Sequence, residues 1–343
     1  VNAGEGDFDA AQAAFDAMNE NEALSAFGQY HKALTLALAG DFVSAEDILA
    51  GDDDGPLHLN RSSLASHAQI LAQIDRQDEA LEILDEALSN GFPDATLDDL
   101  RDRLTTGEDV AFDQVSEAKD GAAEAYYTLA DALDGQDSIR VALIHARLAA
   151  HIRPDFVEAK LLAGEILEQQ DQFVLASQVL SAIPETSPWY VTSEIRRAET
   201  QAEADDPDAG IATLMSLTAS EPDEIEAHSA LGDALRSADR FDEAAVAYGE
   251  AIALIDDPKS IHWVLYYTRG ISHERSDQWD AAEADFRKAL ELQPDQPIVL
   301  NYLGYSLVEK GRDLDEALDM IERAVKGRRD DGYITDSLGW VLY

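Results

Sequence analysis

The sequence predicts an all-α solenoid built from antiparallel helix pairs. Three observations predict it. A set of small, aromatic and apolar residues recurs about every 34 residues. Inside each unit, apolar residues fall at i, i+3, i+4 and i+7 in two successive stretches, the signature of two amphipathic helices. A proline closes unit after unit, at Pro154, Pro188, Pro258 and Pro294, where a helix has to stop.

The elements follow in order. Phe8, Ala11 and Phe15 read as a second helix without its first. A unit from Ala26 carries Gly40, Phe42, Ala45 and Leu49, and one from Arg61 carries Leu64, Ala68, Leu71, Ala80, Leu84 and Ala87. Between Gly91 and Ala122 the pattern fails. Phe92-Pro93 and Thr105-Thr106-Gly107 interrupt it, and the space suits a shortened helix pair, Asp94–Leu104 and Glu108–Lys119. From there units start at 123, 157, 191, 225, 263, 297 and 332, spaced by 34, 34, 34, 38, 34 and 35 residues. The 225 unit shows the pattern in full: Leu231-Gly232, Leu235, Phe241-Asp242-Glu243-Ala244, Tyr248, Ala251 and Pro258. The 263 unit repeats it with Tyr266, Gly270, Trp279, Ala282, Phe286 and Ala289, and the 297 unit with Leu303-Gly304, Leu307, Ala317, Ile321 and Ala324. The predicted organisation is therefore N-terminal repeats over 1–90, a degenerate pair over 91–122, and a regular array over 123–343 whose last unit is cut short.

The small residues have a packing reason. Gly164, Gly232, Gly270 and Gly304 stand where the first helix of a pair approaches the second, and larger side chains there would overpack by about 1–3 kcal/mol. Acid at the start of a second helix, as in Asp242-Glu243, satisfies free N–H groups and the helix dipole.

Charge excludes whole classes of function. With 70 acidic and 25 basic residues the net charge is −45. Nucleic-acid binding requires a stripe of Lys and Arg to displace counterions, and none is present. No cysteine occurs, which removes disulfides, thiolate nucleophiles and Cys-ligated zinc. No window reaches the ~18 uninterrupted apolar residues of a membrane span. His273-Glu274 lacks the second histidine of a zinc-protease motif, and Asp52-Asp53-Asp54-Gly55 is followed by Arg61 where a calcium loop needs a glutamate. No catalytic cluster, metal site or cofactor motif emerges, so the expectation is no enzyme, no metal and no cofactor.

The pattern resembles the tetratricopeptide repeat (TPR) family, a right-handed superhelix of 34-residue helix pairs. In that family the first helices line the concave face, at the second, fifth, ninth and twelfth places of each unit. Carried over by position, the resemblance implies an acidic groove of Glu124, Tyr127, Asp131, Glu158, Glu165 and Glu168. It likewise implies an aromatic and apolar partner-binding surface of Tyr267, Ile271, Glu274, Ile298, Asn301, Tyr305, Tyr333 and Trp340, together with Val264 and Tyr343. Residues 1–258 hold 54 acids and 14 bases, against 16 and 11 in 259–343, so the aromatic stretch is also the near-neutral one. The absence of Lys and Arg from its first-helix positions speaks against a clamp for a C-terminal carboxylate.

Finer features extend the resemblance. Asn301-Tyr302-Leu303-Gly304-Tyr305, Asp336-Ser337-Leu338-Gly339-Trp340, Leu314-Asp315-Glu316-Ala317 and Pro294-Asp295-Gln296-Pro297 look like large exported TPR proteins of Gram-negative bacteria, especially alphaproteobacteria. That group is similar to TPR lipoproteins acting as adaptors of carboxyl-terminal processing proteases. The resemblance implies a fragment of a longer exported protein, periplasmic or outer-membrane-associated, that holds a protein or peptide partner such as a processing protease. A cytoplasmic or secretion-assembly adaptor with the same fold is the alternative. An envelope enzyme is the third reading, which the missing catalytic cluster disfavours.

Overall fold

The computed structural model describes residues 2–51, 55–90, 94–134 and 138–342. Asp52, Asp53 and Asp54 of the acidic loop, the Phe92-Pro93 break and Tyr343 lie outside the described residues. The chain forms two compact units, Val1–Thr200 and Gln201–Tyr343.

The first unit runs through α1 (Phe8–Asp16), α2 (Glu22–Leu38), α3 (Phe42–Leu49), α4 (Arg61–Gln73), α5 (Gln77–Asn90), α6 (Ala95–Thr105), α7 (Ala118–Leu133), α8 (Ile139–Ile152), α9 (Val157–Gln169), α10 (Phe173–Leu180) and the start of α11 (Tyr190–Glu203). The second contains α12 (Pro207–Ser220), α13 (Ile225–Ser237), α14 (Phe241–Ala253), α15 (Trp263–Arg275), α16 (Trp279–Leu292), α17 (Pro297–Glu309), α18 (Leu314–Gly327) and α19 (Gly332–Val341). The regular elements among the described residues are helices, and consecutive helices pack as pairs: α7 with α8, α9 with α10, α13 with α14, α15 with α16, α17 with α18. First helices begin at Val157, Ile225, Trp263, Pro297 and Gly332, on the sequence register, while α7 begins at Ala118, five residues before the 123 mark.

One turn geometry recurs between the two helices of a pair. The second residue after the first helix takes a left-handed backbone: Gly40, Asp75 and Asp171 in the first unit, and Asp205, Asp239, Asp277 and Gly311 in the second. The next amide then donates back to a carbonyl in the last turn, as in Arg240 N to Leu235 O at 2.9 Å and Gln278 N to His273 O at 2.8 Å. This six-to-one bond closes the helix end. Aspartate tolerates the left-handed region better than most residues. Part of the acid excess therefore sits at helix stops. Another part caps helix starts: Asp41 accepts from Ser44 N, Asp206 from Ala209 N and Asp94 from Leu97 N.

The small residues do what the register requires. A Cβ on Gly232 would lie 2.6 Å from the Tyr248 ring, and one on Gly270 would lie 2.7 Å from Phe286. Close approach lets the second-helix aromatic reach the middle of the pair, where Tyr248 and Phe286 are fully buried. Around Phe286 the core continues through Leu300, Leu303 and Leu307 to Ala317 and Ala324, so it is continuous from the α15–α16 pair to the α17–α18 pair.

One expected helix is absent. Residues 108–117 are not helical, which corrects the Glu108–Lys119 prediction. The segment crosses the first unit with Val110 and Val115 buried in two separate cores. Side chains take over the hydrogen bonding a helix would supply internally. Gln69 Oε1 accepts from Asp113 N at 3.1 Å, Gln73 Nε2 donates to Val110 O at 2.7 Å, and Arg153 Nη1 donates to Gln114 O at 2.8 Å. Buried backbone groups need such partners, and here they come from α4 and α8.

Candidate interaction surface

In the second unit the first helices α15 and α17 carry the predicted aromatic and apolar row. Val264, Tyr267, Ile271 and Glu274 follow one face of α15, and Ile298, Asn301, Tyr305 and Val308 one face of α17. Val264 is 44% exposed and Ile298 38%, large apolar side chains facing solvent. Tyr267 is half-buried. Its ring lies 5.8 Å from Trp263, 6.1 Å from Phe286 and 6.0 Å from Tyr302, the last edge-on. Desolvation in this cluster pushes its hydroxyl up to about 12. Ile271 is also half-buried against the core. Glu274 accepts from Tyr302 Oη at 3.4 Å, and burial pushes the Tyr302 phenol up.

Tyr305 is partly open, and the Glu309 carboxylate beside its hydroxyl raises its pKa. Tyr333 and Trp340 on α19 are exposed, and Tyr333 is close enough to influence both Tyr267 and Tyr305. Asn301 differs from its expected place on an open surface. It is 5% exposed, and its Oδ1 has no hydrogen-bond partner.

Two residues of this surface were missed in the sequence. Tyr302, one place after the expected position, completes the aromatic cluster with Phe286 at 5.2 Å. Arg236, the twelfth residue of the 225 unit, reaches the field of Tyr267 from α13. Its Nε donates to Tyr248 Oη at 3.2 Å, and that hydroxyl donates to Asp233 Oδ1 at 2.8 Å. Applying the same positional rule to the 225 unit would have found it.

The acidic set in the first unit is arranged otherwise than expected. Glu124 is buried, not part of an open groove. Its Oε1 accepts from Tyr30 Oη at 3.0 Å, which also stands 3.3 Å from Ser66 Oγ, while its Oε2 has no partner. Burial pushes the Glu124 carboxyl up to about 7. Tyr127 is buried too, with its ring 5.0 Å from Phe156. Glu158 accepts from Thr96 Oγ1 at 3.2 Å, and that hydroxyl accepts from Trp189 Nε1 at 2.7 Å. Arg61 lies over the Trp189 ring and pairs with Asp94 at 3.1 Å. Desolvation raises both Glu158 and Asp131. Glu168 is neutralised by Arg196 at 2.5 Å and accepts from Thr200 at 2.6 Å. Of the six residues only Glu165 is exposed. The reason is steric. Helices α2, α4 and α6 bring Tyr30, Ser66 and Thr96 onto the first-helix face of α7 and α9 and cover it.

Among the described residues no group of three or more His, Asp or Glu side chains could hold a metal ion. No described helix is long and apolar enough to cross a membrane.

Comparison with known proteins agrees with this geometry. The tetratricopeptide repeat family model matches residues 195–261 and 267–334. A TPR repeat-containing protein of Pseudomonas aeruginosa is 26% identical over 183 residues, which is 52% of this chain and 30% of that protein. Human tetratricopeptide repeat protein 13 is 31% identical over 110 residues, 32% of this chain and 12% of that protein. The chain thus spans a third or less of the curated relatives it matches. The crystal structure of the C-terminal part of a TPR repeat-containing protein from Cytophaga hutchinsonii superposes with a TM-score of 0.50 at 14% identity. It covers 80% of this chain and 99% of that one, and it shows the fold alone. The family model and the recurring helix-pair geometry together show tetratricopeptide repeats over residues 195–261 and 267–334.

Proposed function

We propose that the chain is a non-catalytic protein-interaction scaffold that seats a segment of a protein partner across the first helices α15 and α17. One observation carries the reading. Val264 and Ile298 stay in solvent on the same helix faces as Tyr267 and Tyr305, so a row of large apolar side chains lies unburied beside a fixed aromatic cluster. Aromatic and apolar anchors of this kind supply most of the binding energy at protein interfaces. Tyr267 and Tyr302 are held by their neighbours, so little side-chain entropy is lost on binding.

The finer reading places the native protein in a bacterial cell envelope, periplasmic or outer-membrane-associated, as an adaptor for a carboxyl-terminal processing protease and its substrate. It is supported by the resemblance of the Asn301–Tyr305 and Asp336–Trp340 segments to exported adaptors. The test is a pull-down with the native protein and with Val264→Asp/Ile298→Asp, read by mass spectrometry alongside fractionation. Loss in the variant of an envelope protease recovered with the native protein is the expected result. An unchanged recovered set would overturn the docking surface, and recovery of cytoplasmic proteins alone would overturn the envelope reading.

A further inference from the structure

The first unit carries an exposed face whose chemistry runs against the rest of the chain. Helix α8 contains two arginines and two histidines and no Asp or Glu. Helix α10, the next second helix, contains no charged residue. Other second helices are acidic outside: α5 carries Asp78, Glu79, Glu82, Asp85 and Glu86, and α14 carries Asp242, Glu243 and Glu250.

On α8 the exposed side chains are Arg140, Val141, Ile144, Arg147, Leu148 and His151. Their spacing is that of one helix face. Ile144 is 57% exposed, and Val174 on α10 is 62% exposed. Isolated exposed apolar residues are ordinary, but an i, i+3, i+7 run on one helix, continued on the next, is a patch. Between the two helices lies a groove of ≈ 500 Å³ whose lining includes Arg147, His151, Lys160, Gln178 and Val179. Lys160 Nζ donates to Ala182 O at 2.6 Å and so is fixed in its wall. The acid acting on Lys160 is Asp155, which lies beyond the end of α8, 3.6 Å from Arg153. Among the described residues Arg147 has no carboxylate partner of its own.

We propose that the α8–α10 face docks an acidic, amphipathic helical segment of a partner protein. Its large apolar side chains would cover Val141, Ile144, Leu148 and Val174, as in helix-in-groove recognition. Its carboxylates would meet Arg147 and Arg140, whose guanidinium groups accept the bidentate geometry of a carboxylate. The acid excess of the rest of residues 1–258 repels such a segment, which favours this face over its neighbours. An anionic lipid surface is the weaker occupant, because it would bring the acidic remainder of the chain against like charge. The face belongs to the first unit, so its loss leaves the α15–α17 row of the second unit intact.

The test is selection of a random 16-residue peptide display library on the full chain, followed by fluorescence polarisation of the enriched peptides. The same peptides are titrated against Arg140→Glu/Arg147→Glu and Arg140→Lys/Arg147→Lys, with phosphatidylglycerol vesicles in parallel. The expected result is net-negative peptides with large apolar residues every three to four positions. Binding should weaken at least tenfold in the Glu variant and within threefold in the Lys variant, with an unchanged melting temperature in both. Peptides that bind the Glu variant within twofold, a basic consensus, or no enrichment at all would overturn the proposal. So would vesicle binding that depends on the two arginines with no peptide enriched.

Discussion

The Tyr30 hydroxyl donates to Glu124 Oε1 at 3.0 Å, joining α2 to α7 across 94 residues of sequence. This carboxyl is 1% exposed, and its pKa stands near 7 against an ordinary value of 4.5. Burial is the dominant cause. Glu158 adds to the shift, while Ser62, Tyr30 and Arg153 oppose it. A carboxyl whose folded pKa is raised contributes stability that is complete below about 4.5 and is lost as pH rises through 7. The loss amounts to about 3 kcal/mol at most. Thermal melts between pH 4.5 and 8 check this. Wild type should lose more stability over that range than Glu124→Gln, and parallel curves would contradict it.

The glycine contacts predict opposite outcomes for one substitution at two places. Gly232→Ala pushes a methyl to within 2.6 Å of the Tyr248 ring and should destabilise by about 1–3 kcal/mol. Gly249→Ala, in the next helix, meets only Arg269 Nη1 at 3.8 Å. It should raise stability by up to about 1 kcal/mol, because alanine loses less backbone freedom in a helix. Denaturant melts of the two variants decide it.

Asp239 holds the α13–α14 turn at φ 57°. A β-branched residue there is strained, so Asp239→Val should cost about 1–2 kcal/mol while Asp239→Gly is tolerated. Equal melting temperatures for the two variants would show that the left-handed turn is not formed.

The 108–117 crossing depends on Gln69, which donates to Asp113 Oδ1 at 2.7 Å and accepts from Asp113 N. Gln69→Leu should cost about 1–3 kcal/mol by leaving those groups unpaired. It should also speed hydrogen exchange at the Asp113 amide more than in α7 or α8.

What the sequence revealed and what it concealed divide along a physical line. Contacts inside a repeat have a fixed spacing, so Gly232 against Tyr248 and Gly270 against Phe286 were readable from the register alone. Tyr267, Ile298 and Tyr305 came from the positions that the resemblance to the TPR family implies. The Tyr30–Glu124 and Thr96–Glu158 bonds join segments 94 and 62 residues apart and leave no periodic trace. The groove that the family positions imply is therefore a covered one in the structure. The 108–117 segment misled for a related reason. The space suited a helix, but Val110 packs into one core and Phe112 and Val115 into another, and the side chains that satisfy its backbone lie far away in sequence. Asn301 was placed on the right helix, yet only the structure shows its carbonyl oxygen unpaired.

Site-specific photocrosslinking tests the proposed docking surface most directly. With p-benzoylphenylalanine in place of Ile298 on α17, and separately in place of Val246 on the exposed side of α14, irradiation is followed by partner detection in the native host. Crosslinks to a discrete protein from the Ile298 position and none from the Val246 position are the expected result. Crosslinks from Val246 with none from Ile298 would contradict a partner seated across α15 and α17.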